Sequence, residues 1–482
     1  MDEARAKTGI AGLDDILCGG FVRERAHIVE GSPGTGKTTL ALQFLLAGLA
    51  EGESGLYLTL SEGADELRAA AAGHGWNLGG IAIRELVGEA ALDPLAEQSV
   101  LRPSELELGE TVRAVMRQVA EARPVRVAFD SLSEMRLLAQ DPLRYRRQML
   151  ALKQFLIAQG CTALLLDDQT VSEGAAHLHS IANSVVVLEQ VGEEFGTERR
   201  RLRVVKVRGS TFRSGWHDYV IVTGGIRVFP RLIAAEHRTA FLGAPVTTGL
   251  PRLDALLGGG LVPGTNLLVA GPAGAGKTLL ATRCLVALLE AGMTGRICLF
   301  DEGRSTLLAR CRALGFDLQP WLDQGTLALH QADPAELSPG EFIANVRDAV
   351  ERDKVRALVF DSLDGFLQAM PGERFLLLQL HEMLSYLNQQ GCLTLLVLGL
   401  RGPAGEVSAV DVSYLADSVL VLRYFLTGGE MRRAIHATKT RILPHEHTVR
   451  ELFIGGPGGL DLGEQLRDPG AILLGIPGLD EA

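Results

Sequence analysis

The chain is written twice. The stretch TGIAGLDDILCGGFV starting at Thr8 returns as TGLPRLDALLGGGLV starting at Thr248, and GSPGTGKTTLA at Gly31 returns as GPAGAGKTLLA at Gly271, both at an offset of 240 residues. AFDSLSEM around Asp130 matches VFDSLDGF around Asp361, and Gln159-Gly160-Cys161 matches Gln390-Gly391-Cys392, now at an offset of 231. Later, Ile181-Ala182-Asn183-Ser184 corresponds to Leu415-Ala416-Asp417-Ser418, and Lys206-x-Arg208 to Lys439-x-Arg441. A period this long is a domain, not the ~20 to 50 residue unit of a solenoid. It predicts one domain over 1–238, a second over 239–460 and a tail over 461–482, the stretch from Gly455 onward being rich in Gly and Pro.

Each half alternates short β-branched runs with longer segments of helical period, the pattern of an α/β domain with a mainly parallel sheet flanked by helices. In the first half, His27 to Glu30, Gly55 to Leu60, Val125 to Phe129, Thr162 to Leu166 and Val185 to Leu188 read as core strands. Thr38 to Ala50 reads as a helix with Leu40, Phe44 and Leu45 on one face. Arg201 to Val207, Tyr219 to Val222 and Ile226 to Phe229 suggest a terminal antiparallel extension, and the second half follows the same order.

Composition narrows the partners. Hydrophobic residues at 47% and charged residues at 22% describe a packed protein, and 47 Lys plus Arg against 58 Asp plus Glu leave a net charge of −11. No basic field advertises nucleic acid or anionic lipid. Six cysteines (Cys18, Cys161, Cys284, Cys298, Cys311 and Cys392) form no CxxC pair, which predicts buried free thiols and a reducing cytoplasm. Apolar runs fall far below the roughly 18 residues of a membrane helix, and MDEARAKTGIAG has no apolar core behind a basic leader, so neither spanning nor export is expected.

Chemistry enters with Gly31-x4-Gly36-Lys37-Thr38 and Gly271-x4-Gly276-Lys277-Thr278, each between a predicted strand and a predicted helix. Backbone N–H groups of such a loop converge on phosphates at a helix N-terminus. The candidate ATP-binding residues are Gly31, Ser32, Pro33, Gly34, Thr35, Gly36, Lys37, Thr38 and Thr39, then Gly271, Pro272, Ala273, Gly274, Ala275, Gly276, Lys277, Thr278 and Leu279. Thr38 and Thr278 offer hydroxyls to Mg²⁺, and Asp130 and Asp361, each closing a hydrophobic run, supply the second metal-side oxygen. Taken singly, these aspartates could equally be helix caps; their recurrence after two phosphate loops favours the metal role. Glu62 in the first half, and Asp301 and Glu302 in the second, follow the next strand and are candidate bases. Lys206 with Arg208 and Lys439 with Arg441 place two cations on one face of an extended segment, either surface charges or cations contributed to a neighbour's γ-phosphate. His445 and His447, like His177 and His179, lack a third ligand at zinc spacing and read as solvated or packed.

Together, the duplicated GxxxxGKT, the strand-end acids, xxFDSL, Val205-Lys206-Val207-Arg208-Gly209-Ser210 with Trp216-His217, and Gly429-Glu430-Met431-Arg432-Arg433-Ala434-Ile435 resemble the KaiC family of double-domain ATPases and autokinases of the cyanobacterial clock, over roughly residues 8 to 460. The resemblance implies two tandem RecA-like P-loop NTPase domains in a homohexamer. ATP would sit at subunit interfaces, each site borrowing Lys206 and Arg208, or Arg433, Lys439 and Arg441, from the adjacent chain. It also implies serine autophosphorylation in the second domain, where Ser413 aligns with the family's serine, and a KaiB-like or signalling partner.

The sequence departs from that pattern in four places. Tyr414 stands where clock members carry threonine, against a two-site ordered cycle. Ser61 replaces the first of paired glutamates, predicting slow hydrolysis in the first domain. Asp301 is one methylene shorter than Glu. The chain stops at Ala482 where clock members continue into the tail their KaiA partner grasps, so a KaiA-type partner is not expected. The rival readings are a RecA-like DNA-binding motor and an ATP-assembled scaffold with weak hydrolysis.

Overall fold

The computed structural model describes residues 4–86, 103–139, 141–168, 179–192, 196–237, 243–333, 336–368, 376–400, 413–427, 429–455 and 459–466. His177, Asp411, Val412 and the segment from 467 lie outside them. The chain divides into two units, Met1–Arg231 and Leu232–Ala482. Leu232 and Ala234 belong to a core of the second unit, and the Ala234 N–H donates to Glu382 at 2.8 Å.

In the first unit, β1 (Arg5–Ala6) and β2 (Phe21–Val22) pair as a small antiparallel sheet. The main sheet comprises β3 (Ala26–Gly31), β4 (Gly55–Thr59), β5 (Ile81–Glu85), β6 (Arg126–Asp130), β7 (Thr162–Asp168), β8 (Ser184–Val191), β9 (Arg199–Val207), β10 (His217–Val222) and β11 (Gly225–Phe229). Among the described residues its order is β11-β10-β9-β8-β3-β7-β6-β4-β5. The strands from β8 to β5 run parallel, and β9, β10 and β11 continue antiparallel. The parallel core is buried on both sides, as helical crossovers require. Leu40, Phe44 and Leu45 of the helix Lys37–Ala50 pack with Val29, Leu164 and Val186 on one face. Ile28, Leu165 and Val185 meet Leu152 and Leu156 of the helix Pro142–Ala158 on the other. Each such side chain contributes about 1.5–3 kcal/mol on burial. The Asp141 carboxylate caps that second helix by accepting from the Leu143 N–H at 3.0 Å.

The second unit repeats the architecture with β12 (Asn266–Gly271), β13 (Gly295–Leu299), β14 (Leu327–Gln331), β15 (Ala357–Asp361), β16 (Leu393–Gly399), β17 (Ser418–Thr427), β18 (Glu430–Thr440), β19 (Arg450–Ile454) and β20 (Leu460–Gln465). The order is β14-β13-β15-β16-β12-β17-β18-β19-β20. Leu460–Gln465, which the sequence places largely in a tail, is therefore an edge strand, because Leu460 and Leu462 alternate into the core. β5 and β14 are parallel edge strands that periodicity did not reveal. Cys18 is a second correction. Five thiols are buried, but Cys18 is exposed because it occupies a left-handed turn (φ 54) before Gly19.

Two first-unit histidines are held neutral. His217 accepts the Arg231 N–H on Nδ1 at 2.9 Å and donates from Nε2 to the Arg213 carbonyl at 3.2 Å. His27 donates to the Val22 carbonyl at 2.8 Å and meets the Ser184 hydroxyl at 2.7 Å. Burial pushes both imidazoles down to about 4. The unfolded chain takes up protons near pH 6.5 and the folded chain only near 4, so this stabilisation is complete above 6.5 and is lost as pH falls through that window. Asp130 and Asp167, raised by burial, act in the opposite sense. The histidine contribution is therefore read as a difference between proteins. The gap in urea midpoint between the parent and His217→Gln, followed by Trp76 and Trp216 fluorescence in a Trp321→Phe background, is expected to narrow from pH 7 to pH 5. A constant gap would contradict the account.

Candidate functional site

Parallel strands deliver their C-terminal ends to one edge, and this fold collects the candidate residues there. In the first unit β3 ends at Gly31, where the phosphate loop begins; β6 ends at Asp130, β7 at Asp168, and Ser61 and Glu62 follow β4. The loop closes on Gly36 in a left-handed conformation (φ 88) that opens the helix Lys37–Ala50. The backbone conformation at Gly36 requires glycine, and a Cβ there would in addition press on Ile221 Cδ1 at 2.7 Å, which that side chain could relieve by shifting. The Tyr219 hydroxyl supports the loop by donating to the Thr35 carbonyl at 2.6 Å. Gly276 repeats the left-handed turn (φ 104) before the helix Lys277–Glu290.

Lys37 Nζ donates to the Gly31 and Ser32 carbonyls at 2.9 and 3.0 Å and pairs with Asp168 Oδ1 at 2.6 Å. The Thr38 hydroxyl lies 3.4 Å from Asp130 Oδ2, which also accepts from Tyr57 at 2.6 Å. Burial raises the Asp130 carboxyl above the usual carboxylate range, while the Tyr57 hydroxyl and Lys37 pull it back. Glu62 is raised as well, by burial first and by the Asp130 carboxylate second. Its backbone is pinned by Thr59, whose hydroxyl accepts from the Ser61 and Glu62 N–H groups at 3.3 and 3.0 Å.

In the second unit Lys277 donates to the Pro272 carbonyl at 2.9 Å. Burial lowers its ammonium, opposed by Asp361 and Asp364. Asp361 is raised by burial and lowered by a hydrogen bond from Thr278. The two strand-end acids are held differently: Asp301 accepts from the Ser362 hydroxyl, and Glu302 pairs with Arg310 at 2.7 Å. In each unit a hydroxyl and one buried carboxylate thus offer the hard oxygen donors that suit Mg²⁺, leaving the rest of its shell to water. Among the described residues no group of three or more His, Cys, Asp or Glu forms a fuller metal cage.

The late cations lie elsewhere. Lys206 donates to the His179 carbonyl and Arg208 to the Ser180 carbonyl. Lys439 donates to the Ser413 and Ala416 carbonyls at 3.0 and 2.8 Å, and Arg441 to the Tyr414 carbonyl at 3.1 Å. Ser413 opens a short 3-10 turn in which Tyr414 is 48% exposed. Arg433 instead reaches its own loop, donating to the Gly274 carbonyl at 3.4 Å beside the Tyr424 ring. His445 bonds Thr440 at 2.8 Å and meets the exposed His447 edge-on, while His179 meets the Glu30 carboxylate at 2.6 Å, so two of the three are packed and His447 is solvated.

Sequence reasoning missed Tyr57, Asp168 and Asp364. Only Asp168 carries a signal, an acid at the end of a hydrophobic strand beside the phosphate-loop strand.

Comparison with known proteins assigns a family. The model of the KaiC ATPase family matches residues 6–233 and 246–467. The chain is 27% identical to the circadian clock protein KaiC3 of Synechocystis, over 98% of this chain and 94% of that one. It is 26% identical to the circadian clock oscillator proteins KaiC of Prochlorococcus marinus, covering 97% and 93% of the two chains, and of Synechococcus elongatus, covering 98% and 92%. With a phosphate loop, a strand-end aspartate and downstream acids assembled in each of two repeated units, and the family model spanning both, this chain belongs to the KaiC ATPase family.

Proposed function

We propose that the chain hydrolyses ATP with Mg²⁺ at both phosphate loops, at contacts between the subunits of a homohexamer, and that it serves a signalling or timekeeping role. The observation that carries the interfacial part is strand register. Lys206 pairs with Val185, which pairs with Ile28, three residues before Gly31; Lys439 pairs with Val419, which pairs with Leu268, three residues before Gly271. Each lysine thus starts two strands across and three residues back from its own loop, about 10 Å in each direction. Its side chain cannot span that distance, whereas the loop of a second copy could meet it.

Thr38 with Asp130, and Thr278 with Asp361, would hold Mg²⁺, which supplies charge neutralisation on the phosphates. Glu62 in the first unit, and Asp301 and Glu302 in the second, would take the proton as water attacks the γ-phosphorus and ADP leaves with the bridging oxygen. Lys206, Arg208, Lys439 and Arg441 would stabilise developing charge on the neighbour's nucleotide, an effect worth ~10³ to 10⁵ in rate for arginine fingers.

The timekeeping role is supported by the relatives' names, and a KaiB-like partner by the same likeness. The turn carrying Ser413, beside Lys439 and Arg441, supports serine autophosphorylation in the second unit. In the test, the protein incubated with Mg·ATP is sized and analysed for released phosphate and for phosphopeptides. Hexamer-sized particles that hydrolyse ATP and carry phosphate on Ser413 are expected. ATP turnover with a Ser413→Ala protein labelled like its parent would remove the autokinase part alone. A monomer with undiminished turnover would remove the interface.

A further inference from the structure

The repeat equates residue 133 with 364 and residue 168 with 399, through the offset of 231 that also joins Asp130 to Asp361. The first unit has Ser133 and Asp168; the second has Asp364 and Gly399. One carboxylate is kept in each unit, but it has moved from the end of a strand to the opening turns of a helix.

The side chains converge despite the exchange. In the first unit the Ser133 hydroxyl donates to Asp168 Oδ2 at 2.9 Å, while Oδ1 of the same carboxylate holds Lys37 Nζ. In the second unit Asp364 Oδ2 accepts the Gly399 N–H. A Cβ at Gly399 would lie 2.9 Å from that oxygen, so the Asp364 carboxylate occupies the space a side chain at position 399 would take. Asp364 reaches Lys277 only through its charge, whereas Asp168 pairs with Lys37 by contact, an ion pair that is not repeated among the described residues of the second unit.

A lysine ammonium has three N–H donors. Those of Lys37 are committed to the Gly31 carbonyl, the Ser32 carbonyl and Asp168. Phosphate oxygens must take at least one of them, and the carboxylate is the acceptor that bears the same charge as the phosphate.

We propose that Asp168, by contact, and Asp364, through its charge, are positioning residues that draw the loop lysine in competition with the phosphates, so that each sets how tightly its loop retains nucleotide. The inference rests on the reading that both loops bind ATP. Retaining the carboxylate from two different chain positions is what a requirement for charge at that point produces; a purely structural contact would be met by keeping the residue where it was.

The test measures ADP affinity of the full-length protein by calorimetry, with the second loop silenced by Lys277→Ala. Asp168→Asn, which keeps shape and the Ser133 hydrogen bond, is expected to bind ADP about tenfold more tightly. The relocated pair Ser133→Asp/Asp168→Gly is expected to return to the parent affinity, which a structural role for Asp168 would not produce. In the converse background, Lys37→Ala, Asp364→Asn is expected to tighten binding similarly. Unchanged or weaker binding by Asp168→Asn and Asp364→Asn overturns the proposal. If Lys37→Ala in the Lys277→Ala background binds ADP as the Lys277→Ala protein does, the ATP-site reading itself fails, and the competition with it.

Discussion

Lys277→Ala is expected to slow phosphate release at the second loop by a factor on the order of 10³, because in the proposed reaction its ammonium would meet the β and γ phosphates and also the charge of the transition state. Lys37→Ala should do the same at the first loop, and the double variant should leave no turnover above buffer. The contributions of the two loops can then be separated, since the rate of each single variant reports the other unit. Ser61 and the single acid Glu62 predict that the protein with only the first loop intact is the slower of the two. The measurement is steady-state phosphate release at saturating Mg·ATP. Full turnover by the double variant would place hydrolysis away from both loops.

Arg126→Ala is expected to have the largest effect on stability. This arginine is fully buried, with Nε 2.5 Å from Glu53 and an NH2 nitrogen 3.0 Å from Glu51. It also donates to the Lys7 and Phe44 carbonyls at 2.6 and 2.9 Å, so it binds the N-terminal segment and the helix Lys37–Ala50 to β6. Its removal leaves a void and two backbone carbonyls without their donor, a loss of about 3–5 kcal/mol. The repeat supplies a compensating change. Gly48 leaves room for the guanidinium, and its counterpart in the second unit is Leu288, which packs with Ala357, the counterpart of Arg126. Arg126→Ala/Gly48→Leu is therefore expected to recover more than half of the loss, with Arg23 still pairing Glu53 at 2.5 Å. Urea unfolding of the first unit checks both values, and a double variant no more stable than Arg126→Ala would refute the packing argument.

Much of the fold was legible because the repeat displays each element twice. Val29 and Val269, and Phe129 and Phe360, sit in matching hydrophobic runs before loop or aspartate. What escaped has physical causes. Ile81–Glu85 and Leu327–Gln331 are edge strands partly open to solvent, so they lack the unbroken apolar run of a central parallel strand. Leu460–Gln465 alternates, but only Leu460 and Leu462 are large and apolar, and glycines surround them. The phosphate loops were readable from spacing because their work is done by consecutive backbone groups. The Asp168 and Asp364 exchange was not, because it joins residues 35 apart in sequence, and nothing local marks the two positions as one place.

The interfacial site is tested most directly by complementation. In a Lys37→Ala background, which silences the first unit, one protein carries Lys277→Ala and the other Lys439→Ala/Arg441→Ala. Each alone should be nearly inactive, the first for want of a loop lysine and the second for want of the neighbour's cations. Co-assembled in equal amounts, they should recover about a quarter of the Lys37→Ala rate, because half the loops are intact and half of those meet intact cations across a head-to-tail contact. A mixture no faster than its separate components, or a Lys439→Ala/Arg441→Ala protein as fast as the Lys37→Ala protein alone, would contradict it.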